Sequence, residues 1–307
     1  MTTARSPHRS VPQLSVVIVT FNGRDLVRAC LRCVPASFGD LSGEVIVVDN
    51  GSSDGTPAMI AAEFPGVRLI ATGENLGFAA GNNRGLPHAR GRIIVFLNPD
   101  TEPAPGSLAL LAAALDADPT LGIVGPKLTY GDGSLQASVR GFPTFGVSIL
   151  VLLKLYRLAR RLPAVAHYDA VTFDYAVAAD VDQLMGACLA MRRALVDEMG
   201  GFDERFWMWF EEVDLCLRVR QAGYRVRYLP EPVVLHRLSQ STVLLHSVFT
   251  QRMYAQSLVK FFAKHHATWQ VQVLRSVSWV GVAAAHGLQL VRRLKDRSNT
   301  RHRIKTA

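Results

Sequence analysis

The chain has 307 residues, 49% of them apolar and 19% charged, enough to fill the core of one large domain or two small ones. Its net charge is +9, yet from residue 250 onward there are 11 Lys and Arg against one acid, which leaves 23 basic and 24 acidic residues before that point. A near-neutral body with a basic tail, lacking a recognition motif or interleaved aromatics, speaks against nucleic-acid binding. The four cysteines lack a second close ligand pair and read as reduced thiols of a cytosolic protein rather than a zinc framework.

The first residues are polar and contain Pro, with no secretory pattern, and residues 1–12 are expected to be disordered. Leu14 to Thr20 reads as a buried strand that ends in Thr20-Phe21-Asn22-Gly23, ahead of a helical pattern from Asp25 to Val34 that holds Cys30 and Cys33. A second β-branched run, Val45 to Val48, ends in Asp49 and a turn of Gly, Ser and Asn. Thr56 and Pro57 then predict a helix start, with Thr56 as N-cap. In open α/β sheets ligands bind outside the carboxyl ends of strands. Thr20, Asn22 and Asp49 are therefore candidate nucleotide contacts, Asp49 as an acceptor for base or ribose, the alternative being a carboxylate that caps its own loop.

In the stretch Glu74 to Gly85, small residues allow close backbone approach to a ligand and the amides can donate, which makes Asn75, Gly77 and Asn82 candidates as well. Ile93 to Leu97 is another buried strand and leads into Asn98-Pro99-Asp100. A hard divalent cation on a diphosphate often takes only one or two oxygen ligands from protein, and Asp100 can supply one.

Phe145 to Leu162 is apolar first and basic later, bracketed by Pro143 and Pro163, and reads as an amphipathic insertion over 145–163, with a core helix as the alternative. Leu184 to Arg192 and Arg225 to Leu229 are expected as further strands. Glu211, Glu212 and Asp214 form an acidic cluster in a helical pattern. A buried carboxylate with a raised pKa suits removal of a hydroxyl proton, and an acidic first turn complementing the helix dipole is the alternative. His236 closes the apolar run Val233 to Leu235 as either a structural residue or a ligand. Val271 to Val291 is apolar but interrupted by Arg275, His286 and Gln289, too broken to span a bilayer. It fits a basic helix lying on an anionic membrane, the alternatives being a helix packed on the domain and a disordered terminus.

The Asp49 turn, the Gly-Asn-Asn block at Gly81-Asn82-Asn83, Asn98-Pro99-Asp100, and the segments Gly200 to Trp207 and Trp209 to Arg218 occur in the order of a family 2 glycosyltransferase, and the chain resembles one from about Ser15 to His236. The resemblance implies an α/β, Rossmann-like GT-A fold: a mostly parallel central sheet with helices on both faces. Its domain would cover 13–245, with a nucleotide-sugar half at 13–135 and an acceptor half at 180–245, followed by a helical basic tail at 250–307.

The family's metal-binding Asp-x-Asp corresponds to Asn98-Pro99-Asp100. The resemblance thus implies Asp100 and His236 as ligands of Mg2+ or Mn2+, with Asn98 beside the nucleotide sugar. It implies a catalytic base within Glu211-Glu212, where Glu212 stands in place of the family's Asp. The implied reaction is inverting transfer from a dTDP- or UDP-linked sugar to a hydroxyl of a glycan or lipid-linked acceptor. Arg140 to Thr144, with the Asn-Pro-Asp loop, looks like rhamnosyltransferases of cell-wall and O-antigen assembly, which implies a cytoplasmic enzyme peripheral on the inner membrane face. Two alternatives remain: a nucleotidyltransferase, whose Gly-rich basic loop would have to be the short Thr20 to Arg24, and a catalytically degenerate nucleotide-sugar-binding paralogue.

Overall fold

The structure is a computed structural model and describes residues 11–156, 158–237, 248–279 and 281. The expectations for residues 1–10 and for the tail beyond 281 lie outside the described residues. The chain divides into two compact units: residues 1–141, 173–207 and 211–238 make the first, and 142–172, 208–210 and 239–307 the second.

The first unit is built on strands β1 (Leu14–Thr20), β2 (Gly43–Asp49), β3 (Arg68–Ala71), β4 (Ile93–Leu97), β5 (Thr101–Pro103), β6 (Leu121–Thr129), β7 (Leu135–Gln136), β8 (Val139–Arg140), β9 (Ala179–Asp180), β10 (Gln183–Leu184), β11 (Cys188–Arg192) and β12 (Arg225–His236). The main sheet runs β3-β2-β1-β4-β11-β6-β12-β5, with β7 on β6 and β9 on β12, while β8 and β10 pair separately. The pairs among β3, β2, β1 and β4 are parallel, β11 enters antiparallel between β4 and β6, and β12 is parallel to β6. This is the expected α/β architecture, parallel in its first half and mixed in its second.

Helices α1 (Arg24–Ser37), α2 (Thr56–Glu63), α3 (Gly77–Gly85) and α4 (Ser107–Ala117) follow strands of the first half. β1 and β4 are buried throughout, as mainly apolar strands are when helices cover both faces. One face, with Val16, Ile18, Val45 and Val47, packs in one core with Val27 and Leu31 of α1 and Leu108 and Leu111 of α4. The other face meets α3, whose glycines let it approach closely. A Cβ at Gly81 would lie 2.7 Å from Val19 Cγ1, and one at Gly85 would lie 2.6 Å from Val17 Cγ1.

Three local readings change. Thr56 is the first residue of α2 rather than its cap: Gly55 precedes it at φ 84°, and the Thr56 hydroxyl donates to Asp54 Oδ1. The run from Leu184 to Arg192 is not one strand, since β10 ends at Leu184 and β11 begins at Cys188, with Gly186 in the break. Arg225 to Leu229 is only the start of β12, which continues to His236 across a register shift between Tyr228 and Val233, where Pro230 and Pro232 cannot donate.

The second unit contains α5 (Phe145–Leu152), α6 (Pro163–Tyr168), the helix Val248–His265 and helical residues 268–279. The insertion is not one amphipathic helix: α5 ends at Leu152, Lys154 turns at φ 60°, and Leu158 is 85% exposed. Ring contacts hold this unit together, Phe145 with Trp269 at 5.1 Å and Phe210 with Phe261 at 5.6 Å. Among the described residues no helix is long and apolar enough to cross a membrane. The remaining helices, α7 (Arg193–Met199) and α8 (Glu211–Gln221), belong to the first unit.

Candidate active site

Register places the strand ends side by side, with Thr20 of β1 opposite Asp49 of β2 and Ile18 opposite Leu97 of β4. Asp49 divides its two carboxylate oxygens. Its Oδ2 accepts the Ser52 N–H at 2.9 Å and so caps its own loop, while its Oδ1 is buried without a partner. Thr20 Oγ1 and Asn50 Oδ1 are likewise buried and unpaired. Buried polar atoms ordinarily find partners, so three orphans around two adjacent strand ends leave bonding capacity there that a polar ligand could use. Asn22, at φ 49°, ties the two loops together: its N–H donates to Ser52 Oγ at 2.9 Å, and its Oδ1 accepts the Ser53 N–H at 2.8 Å.

The glycine-rich stretch is mostly helix α3 and serves packing. Gly77 has φ 84°, and a Cβ there would lie 2.4 Å from Trp207 O, so only Gly fits. Asn75 Oδ1 accepts the Gly77 N–H at 3.0 Å, and the Asn50 amide donates to Gly77 O at 2.9 Å. Asn82 is buried, and its amide donates to Phe78 O within α3. Asn50, which sequence reasoning passed over, links the β2 end to this turn.

Asp100 and His236 are brought together: β5 and β12 pair antiparallel with Thr101 opposite His236, and His236 Nε2 lies 3.3 Å from Asp100 Oδ1. The other ring nitrogen, Nδ1, is 2.9 Å from Gln136 Oε1. An amide oxygen only accepts, so Nδ1 carries a proton and donates to Gln136, and Nε2 is the ring atom that faces the carboxylate. With Nε2 unprotonated, the two atoms converge at a distance that fits a cation between them, and a carboxylate with an imidazole is a donor set for Mg2+ or Mn2+ that also takes phosphate oxygens. Among the described residues there is no cluster of three or more such side chains. Asn98 opens the same loop: its N–H donates to Ala187 O at 2.9 Å, and its carbonyl accepts from Thr101.

α8 begins at Glu211, and its acids divide by role. Asp214 is fully buried and accepts from Arg218 Nε at 2.7 Å, and Arg218 also donates to Met199 O and Gly201 O, so this acid pins the helix to the preceding turn. Glu211 is buried at the helix start. Glu212 lies against Gly186, where a Cβ would be 3.4 Å from Glu212 Cβ, and its Oε2 is buried without a partner. Burial pushes the Glu212 carboxyl above the usual range, while backbone N–H groups of Glu212, Val213 and Gly186 pull it back. Gly186 adjoins Ala187, whose carbonyl holds Asn98, so a short backbone path joins the Asp100–His236 pair to Glu212. Gly186 was legible only as a glycine interrupting an apolar run.

A family model described as Glycosyl transferase family 2 matches residues 15–173, and one described as N-terminal domain of galactosyltransferase matches 166–246. The N-acetylglucosaminyl-diphospho-decaprenol L-rhamnosyltransferase of Mycobacterium tuberculosis (strain ATCC 25618 / H37Rv) is 33% identical over 277 residues, 85% of this chain and 88% of the relative. Mannosyltransferase PcManGT from Pyrobaculum calidifontis, solved in complex with GDP-Man and Mn2+, is 23% identical with a TM-score of 0.55 over 91% of this chain and 75% of its own. GalNAc-T7, solved with UDP, GalNAc and Mn2+, is 17% identical with a TM-score of 0.56 over 81% and 48%. The two structural likenesses carry the GT-A fold, and the sequence matches carry the family. With a family model over more than half of its length and a relative alignable over most of it, the chain belongs to glycosyl transferase family 2 and is rhamnosyltransferase-like within it.

Proposed function

We propose that this glycosyltransferase moves a sugar from a dTDP- or UDP-linked donor to a hydroxyl of a polyprenyl-diphosphate-linked glycan, with inversion at the anomeric carbon. The observation that carries the reading is Glu212: a half-buried residue whose Oε2 is buried and unpaired, joined through Gly186, Ala187 and Asn98 to the Asp100–His236 pair. In one displacement the acceptor oxygen bonds to the anomeric carbon, the bond to the diphosphate oxygen breaks with its electron pair, and Glu212 Oε2 takes the hydroxyl proton. No side chain is needed as a nucleophile, so the configuration inverts. Asp49 and Thr20 receive the nucleoside, with their unpaired oxygens as hydrogen-bonding partners. Asp100 and His236 hold a divalent cation, which when bound neutralises charge on the departing diphosphate.

The acceptor class rests on the mycobacterial relative, whose name specifies a diphospho-decaprenol acceptor. Contact with an anionic membrane surface follows from the same acceptor and from the basic tail. Assayed with lipid-diphosphate-linked acceptor, Asp100→Ala is expected to lose transfer, and wild-type turnover is expected to stop in excess EDTA and return with Mn2+. Full activity in EDTA would remove the cation from the reaction.

A further inference from the structure

Gln136 belongs to no motif that the reaction above uses, yet it is 1% exposed and touches the cation pair directly. It lies in β7, opposite Leu128 of β6, and Leu128 is opposite Val234 of β12 on the other side. The glutamine therefore reaches from one neighbour of β6 to His236 on the other. Its oxygen meets His236 Nδ1 at 2.9 Å, while its Nε2 is buried without a partner. Packing alone gives no reason for an amide here, since an apolar side chain would fill the volume without stranding a donor.

We propose that Gln136 is the positioning residue of the cation site: its amide oxygen holds His236 in the Nδ1–H tautomer and so keeps Nε2 open toward Asp100. Without that acceptor, a neutral imidazole places its proton on Nε2 and donates it to Asp100 Oδ1, which lies 3.3 Å away. One hydrogen bond would then occupy both ligands at once. Gln136 acts by preventing this closure, and a second partner that fixes ring and tautomer is what an imidazole ligand generally requires. The inference rests on the cation reading of Asp100 and His236.

The test uses the full chain with three substitutions. Gln136→Met keeps volume but has no acceptor, Gln136→Glu keeps an acceptor at the same reach, and Gln136→Asn keeps the amide one methylene short. The His236 tautomer is read in metal-free protein from 15N shifts of the ring, assigned with His236→Gln, and Mn2+ affinity from the EPR signal of the free ion. Wild type and Gln136→Glu are expected as the Nδ1–H tautomer. Gln136→Met and Gln136→Asn are expected to move to Nε2–H and to bind Mn2+ about 10–100-fold more weakly. An Nδ1–H ring in both Met and Asn variants, or unchanged Mn2+ affinity in both, would overturn the role of Gln136. If the Met variant does not fold, the Glu and Asn variants carry the comparison. A wild type that binds no Mn2+ overturns the cation reading instead, and the tautomer measurement keeps the two failures apart.

Discussion

Glu212 is opposed by its surroundings and supported by its neighbours: burial drives its carboxyl to a higher pKa, and the N–H groups of Gly186 and Val213 favour the ionised form. A folded-state pKa above the unfolded one means that the folded chain holds this proton more tightly. Its contribution to stability is therefore full at acid pH and is lost as pH rises through the folded pKa. Glu212→Gln is expected to match wild type in urea midpoint under acid and exceed it at neutral pH. Its turnover is expected to fall roughly 10²–10⁴-fold, the usual worth of a general base. The wild-type acid limb of kcat/KM should lie above the ordinary carboxylate range of about 4.3. Should Glu211→Gln be the inactive variant and Glu212→Gln the active one, the base is Glu211. Asp49, Asp100, Glu212 and His236 were legible in the sequence because each stands at the end of an apolar run or the start of a helix. Gln136 and Gly186 were not, because their partners are fixed by strand register, for Gln136 with a residue 100 positions away.

At the scale of elements, α3 shows how the same residues read differently once folded. Its Gly block suggested close approach to a ligand, but Gly81 and Gly85 are four apart, one turn of helix, and turn toward Val19 and Val17. The helix lies on stiff β-branched strands that cannot move aside. Gly85→Ala would gain roughly 1 kcal/mol of helix propensity and meet an overpacking cost of about 1–3 kcal/mol. A net loss of stability is expected in urea unfolding. Gly66→Ala is the control, with open space around its Cβ and an expected change within about 0.5 kcal/mol. Strand positions were readable because β4 is apolar without interruption and β1 is broken only by Ser15 before its terminal Thr20. The break at Gly186 and the shift at Pro230 to Pro232 were not, because an apolar run does not say where pairing stops.

For the whole molecule, the sequence suggested an insertion and a tail as separate amphipathic pieces, and the described parts of both fall in the second unit. Residues 268–279 bury Val271 and Leu274 and leave Trp269, Val273 and Trp279 exposed, Trp279 by 76%. Trp269 and Val273 are one turn apart, opposite Val271 and Leu274. Deleting everything after Lys264 would therefore strip core as well as surface. Substituting Trp279→Ser and Leu158→Ser together tests membrane contact more cleanly. Each lost apolar anchor is worth about 1.5–3 kcal/mol, so the double variant is expected to bind anionic vesicles at least tenfold more weakly in co-sedimentation, with donor hydrolysis intact. Equal binding by the variant and wild type would remove these residues from any membrane contact.

The unpaired buried oxygens of Thr20 and Asp49 bear on the lifetime of the protein. Each stranded polar atom costs the empty fold about 1–3 kcal/mol, and a bound donor at a hundred times its dissociation constant returns roughly 2.7 kcal/mol. Degradation draws on the fraction of molecules that open, so an idle enzyme is cleared faster than an occupied one. The standing amount of catalyst is then expected to follow the supply of activated sugar, with a protease half-life that lengthens on adding donor: when the precursor pool runs down, the machinery that would consume it thins out as well.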